Sequence, residues 1–77
     1  MDGDELDWQE PRERRFKPYE RAVLYVLERA RKPLTTASIA RHANISWTAA
    51  DNNLGELYSR GLIHKKERRT RTYWWVD

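Results

Sequence analysis

The chain has 77 residues, so it forms one domain at most, with a thin core that buries about 60% of the surface exposed when unfolded and leaves no room for a deep pocket between large layers. It has no cysteine, which excludes disulfides, thiolate metal sites and cysteine nucleophiles, and a structural zinc is not expected. The net charge of +3 divides unevenly, with −5 over residues 1–13 and +8 over the rest; a basic body with an acidic tail suits polyanion binding, since clustered cations release phosphate counterions, although a solvated surface has the same charge.

The first 16 residues have no apolar core region of a leader, and no stretch of the chain approaches about 18 apolar residues. A cytoplasmic protein with no membrane contact is expected. Pro11 and the dense charge make residues 1–16 a flexible, acidic-to-basic arm whose Leu6, Trp8 and Phe16 could dock elsewhere. The folded domain is expected over residues 17–77. In "KPYERAVLYVLERARKP" Pro18 suits a first helical turn, and Tyr19, Ala22, Val23, Val26, Leu27 and Ala30 recur at helical spacing. The stop is expected at Lys32 and Pro33, with cations in the last turn. Leu24 and Tyr25 fall off the main stripe, and either extend the core face or form part of a dimer contact.

A very short extended piece at Leu34 leads into a second helix capped by Thr35 or Thr36, with Ile39, Ala40 and Ala43 apolar. Asn44 tolerates the left-handed conformation that a helix end requires. Ile45 turns back to the core, and Ser46 caps a third helix, "WTAADNNLGELYSR", that stops at Gly61. Ala50, Leu54 and Leu57 form its core face. Beyond Gly61, "LIHKKERRTRTYWWV" reads as a two-stranded hairpin with its turn within residues 66–71. That segment offers neither Gly nor Asn, so a loose, longer loop is expected. Thr72, Trp74 and Val76 share one strand face, Tyr73 and Trp75 the other.

The pattern "LTTASIARHANISWTAADNNLGELYSRGLI", followed by a basic hairpin ending in "TYWWV", resembles the winged helix-turn-helix superfamily of prokaryotic and archaeal transcription regulators over residues 18–76. The resemblance rests on Thr35 and Thr36, Ile39, Ala40, Ile45 and Ser46, then on Ala50, Leu54, Leu57, Gly61, Leu62 and Ile63. It implies an α+β fold: three helices, a short strand and a C-terminal two-stranded β-hairpin wing. It further implies that the third helix enters the major groove of double-stranded DNA while the wing follows the backbone or minor groove. By the same likeness Trp74 and Val76 point inward, which leaves Tyr73 and Trp75 partly exposed, to be covered by the arm, a second subunit or neighbouring side chains.

The face opposite Ala50, Leu54 and Leu57 has its own chemistry. Asn52 can bond adenine bidentately, Asp51 can accept from cytosine N4, and Thr48 can reach a phosphate or a thymine methyl. Gly55 costs the helix roughly 1 kcal/mol against alanine, and its bare position would let a duplex approach closely. A solvated polar face with an incidental glycine is the plainer alternative. Trp47, beside the Ser46 cap, can lie on a sugar-phosphate backbone or fold over the second helix. Lys65, Lys66, Arg68, Arg69 and Arg71 against Glu67 give +4 in seven residues, suited to phosphate contact irrespective of sequence. Neutralising about four phosphates would give a slope near −3.6 of log affinity against log salt. Arg41 could add a phosphate contact, and Arg60 is a weaker candidate.

His42 and His64 have no ligand-spaced partner, and paired carboxylates, a Gly-rich phosphate loop and a Ser/His/Asp set are missing from the sequence. No enzyme activity, metal, cofactor or small-molecule ligand is expected. The expected function is a small DNA-binding transcription regulator, nucleoid-associated, with a homodimer supported only by Leu24 and Tyr25. The alternative is a protein-interaction module that uses the Tyr73 and Trp75 strand face, since Asp51 and Glu56 oppose phosphate. Left-handed Z-form recognition is disfavoured by Gly55 and Asp51, where that type of domain would have a nearby aromatic and an asparagine. The acidic arm is either a solubilising tail or a phosphate mimic lying on the wing.

Overall fold

The computed structural model describes residues 16–77. Three helices and three short strands follow in the order α1 (Pro18–Ala30), β1 (Leu34–Thr35), α2 (Thr36–Ala43), α3 (Trp47–Ser59), β2 (His64–Arg68) and β3 (Arg71–Trp75). This is a small α+β domain with a three-stranded antiparallel sheet of order β1-β3-β2. Among the described residues no helix is long and apolar enough to cross a membrane.

Local chemistry sets the helix ends. The Glu20 carboxylate reaches back to accept from the Lys17 amide at 3.1 Å, and Pro18 opens α1 without forfeiting a helical bond. Arg31 ends α1 in the left-handed region at φ 57°, its amide donating to the Leu27 carbonyl. Thr35, of the two threonines considered, caps α2 by accepting from the Ser38 amide at 3.1 Å. At the other end Asn44 adopts φ 60° and ψ 45°, while the Ile45 amide bonds Ala40 and the Asn44 amide bonds Arg41. That pair of bonds is a Schellman motif, and it leaves only residues 44–46 between α2 and α3. Ser46 then caps α3, accepting from the Ala49 amide at 3.0 Å. The same motif closes α3, with Gly61 at φ 75°, its amide on Tyr58 and the Leu62 amide on Leu57.

The core lies where the three helices meet the inner sheet face. Val23 and Leu27 of α1 and Ile39 and Ala40 of α2 meet Ala50, Leu54 and Leu57 of α3, closed by Ile63 and Trp74. Burying the valine, leucine and isoleucine side chains among these contributes roughly 1.5–3 kcal/mol each before entropic costs. Trp74 also donates its indole N–H to the buried Thr36 hydroxyl at 2.8 Å, tying β3 to the first turn of α2. Leu24 packs partly buried against this core and so extends the core face, whereas Tyr25 is 59% exposed with Arg29 over its ring. Phe16 also packs against the core, beneath the Arg60 guanidinium at 5.1 Å. Leu6 and Trp8 lie outside the described residues.

Three expectations need correction. Tyr19 is 51% exposed and off the core stripe, because the buried first-turn position of α1, in phase with Val23 and Leu27, is taken by Glu20. The hairpin is part of a larger sheet: Leu34 pairs with Trp74 and Thr35 with Tyr73, so β3 is the central strand. Its turn is tight and not a loose loop. Arg68 pairs with Arg71, only Arg69 and Thr70 intervene, and Arg69 adopts φ 53° without being Gly or Asn. An arginine there costs of order 1 kcal/mol, which the five-residue ladder holds in place.

Candidate functional site

On α3 the core positions direct the remaining side chains. Thr48 and Asn52 are exposed, and Gly55 follows one turn later on the same strip. A Cβ built on Gly55 meets nothing within 4 Å, so packing inside the chain does not demand glycine there. Asp51 is half-buried and lies two turns before Tyr58. Tyr58 packs edge-on against Trp74 at 6.3 Å between ring centroids, so Asp51 belongs to the sheet-facing flank of α3. The amide of Asn52 offers both a donor and an acceptor, whereas Asp51 can only accept.

Two grooves border this strip. On one side Trp47, 54% exposed, shares a groove of about 430 Å³ with Ser38 and Arg41 of α2 and with Arg71 and Thr72 of β3. The fold thus brings Arg41, Trp47 and Arg71 together from three elements. On the other side Asn52 shares a depression of about 390 Å³ with Lys17, Pro18, Tyr19 and Glu56. Lys17 lies 3.7 Å from Glu56, an exposed pair worth little. Neither Lys17 nor Tyr19 was legible as a neighbour of Asn52, because α1 and α3 meet only in the tertiary structure. Arg60, at the far end of α3, bonds Glu20 at 3.2 Å.

No family model, curated protein or solved structure matches the chain.

The five hairpin cations do not form one set. Lys65 faces inward with Trp74, its ammonium 3.7 Å from Glu67 and 4.8 Å from the centre of the Tyr58 ring. It is a structural cation bridging sheet and α3. Lys66, Arg68 and Arg71 project from the opposite face with Tyr73 and Trp75, and Arg69 stands at the tip. Among the described residues none of these four cations has an ion-pair partner. This outer face borders an open depression of about 730 Å³. Tyr73 and Trp75 are half-buried on it, and His64 stacks on Trp75 at 5.5 Å, so a neighbouring side chain supplies part of their cover.

The histidines stand apart. His42 Nδ1 is 2.8 Å from the Ser38 carbonyl, and His64 Nε2 is 3.1 Å from Asp77. Among the described residues no three His, Cys, Asp or Glu side chains gather to hold a metal.

Proposed function

We propose that the protein is a winged helix-turn-helix DNA-binding protein, a transcription regulator that seats α3 in the major groove of duplex DNA. The observation that carries this is Gly55: an interior glycine that costs the helix about 1 kcal/mol, has open space above it, and lies on the same exposed strip as Thr48 and Asn52. A bare backbone beside two polar readers suits close approach to base edges. Asn52 would read adenine bidentately, Thr48 a phosphate or thymine methyl, and Asp51 a cytosine amino group. Arg41 and Arg71, which share a groove with Trp47, would hold phosphates and so fix the register without reading sequence. The tip cation Arg69 would extend that contact along the backbone.

The test is titration of duplex DNA at low and physiological salt with the wild-type protein, Asn52→Ala and Arg41→Gln. Asn52→Ala should cost about 1–3 kcal/mol on preferred sequences, and Arg41→Gln should weaken all duplexes alike while lowering the salt slope by about one. Absence of binding at low salt, or indifference to both substitutions, sinks the proposal.

A further inference from the structure

The sheet has two chemically distinct faces, and the duplex reading uses only part of one. Trp74 is buried against Tyr58 of α3, so Tyr73 and Trp75, which alternate with it on the central strand, point away from that helix. Their cross-strand partners are Lys66 and His64, and one step further Arg68 stands directly opposite Arg71. Like charges placed opposite each other destabilise a sheet, and among the described residues no carboxylate relieves them. Asp77 lies at the far end of this face, where His64 holds it. Three cations and two aromatic rings thus share a surface that a partner of opposite charge would stabilise.

We propose that this outer face binds single-stranded nucleic acid, with Tyr73 and Trp75 as stacking platforms for bases and Lys66, Arg68 and Arg71 as phosphate contacts. Charge complementarity calls for a polyanion, and the rings call for planar, apolar faces on it. Spacing selects the single strand. Residues i and i+2 of a strand are about 6.7 Å apart, roughly twice the 3.4 Å that separates successive bases along one duplex strand. Bases resting on both rings must therefore be unstacked from each other. Stacking on Tyr73 and Trp75 needs no base-specific hydrogen bond, so sequence preference on this face should be weak. The duplex reading shares only Arg71 with this proposal and makes no use of Tyr73 or Trp75, so the two rings test the proposal separately from duplex binding.

The probes are a short fluorescent oligothymidylate, an abasic strand of the same length, and an acidic polypeptide. Wild-type protein should bind the oligothymidylate at least about ten-fold more tightly than the abasic strand, which keeps the phosphates and lacks the bases. Tyr73→Leu with Trp75→Leu should remove that preference, and Tyr73→Phe with Trp75→Phe, which keep the rings, should retain it. Asn52→Ala should leave oligothymidylate affinity unchanged, so failure of duplex binding is scored separately. Equal affinity for the abasic strand overturns the proposal, as does absence of binding. Tighter binding of the acidic polypeptide also overturns it, in favour of a protein partner.

Discussion

Arg60 Nη1 lies 3.2 Å from Glu20 Oε1 and joins the end of α3 to the first turn of α1. The Glu20 side chain is 1% exposed. Burial acts to raise its pKa, but the Glu56 carboxyl, the Lys17 amide and the Arg60 guanidinium act in the other direction and hold it below the ordinary glutamate value. A depressed pKa stabilises the fold above the unfolded-state value, and that contribution is lost as pH falls through the folded-state value. Arg60→Ala should therefore cost about 1–3 kcal/mol near pH 7, the lower part of the range reflecting the partial exposure of Arg60. The difference from wild type should narrow at about pH 3, leaving the contribution of Phe16 packing beneath the guanidinium. Urea unfolding at the two pH values measures both.

Gly55→Ala separates stability from duplex binding. The added methyl meets nothing within 4 Å, so the free protein should gain about 0.5–1 kcal/mol, or several degrees in melting temperature. Duplex affinity should fall if the bare position admits the duplex. A stabilised variant with undiminished duplex affinity would show that glycine plays no part in binding.

Arg69 stores local strain in the two-residue turn. At φ 53°, Arg69→Gly should raise stability by about 0.5–1 kcal/mol, whereas the β-branched Arg69→Val should lower it by about 1 kcal/mol or more. Thermal melts of the two variants distinguish strain from simple loss of charge, because both remove the same cation.

The short connection between α2 and α3 depends on two side chains. Ser46→Ala leaves the Ala49 amide without its side-chain acceptor and should cost about 1 kcal/mol. At Asn44, with φ 60°, Gly should be tolerated and Ala should cost about 1 kcal/mol, read from chemical denaturation midpoints.

The division of the hairpin cations predicts unequal effects on nucleic acid. Lys65→Gln removes contacts to Glu67 and the Tyr58 and Trp74 rings, so it should cost about 0.5–1 kcal/mol of stability and little duplex affinity. Arg71→Gln should do the reverse, lowering the duplex salt slope by about 0.9. Salt-dependent titrations beside melting curves provide the comparison.

The features legible in the sequence are those set within a few residues of chain. Ser46 with the amide of Ala49, Asn44 at a left-handed helix end, Gly61 after α3 and the spacing of Ala50, Leu54 and Leu57 all act locally, and each stands where the pattern places it. The strip of Thr48, Asn52 and Gly55 follows from the same helical period. Contacts between distant segments were not legible. Glu20 and Arg60 are 40 residues apart, Thr36 and Trp74 are 38 apart, and β1 reaches β3 across the whole of α2 and α3. Composition could count five hairpin cations but not distribute them. The likeness already turned Trp74 inward, but the faces of β2 depend on its register, and only the pairing of Lys65 with Trp74 and of Lys66 with Tyr73 decides that Lys65 turns inward while Lys66 and Arg68 share the outer face with Arg71, Tyr73 and Trp75.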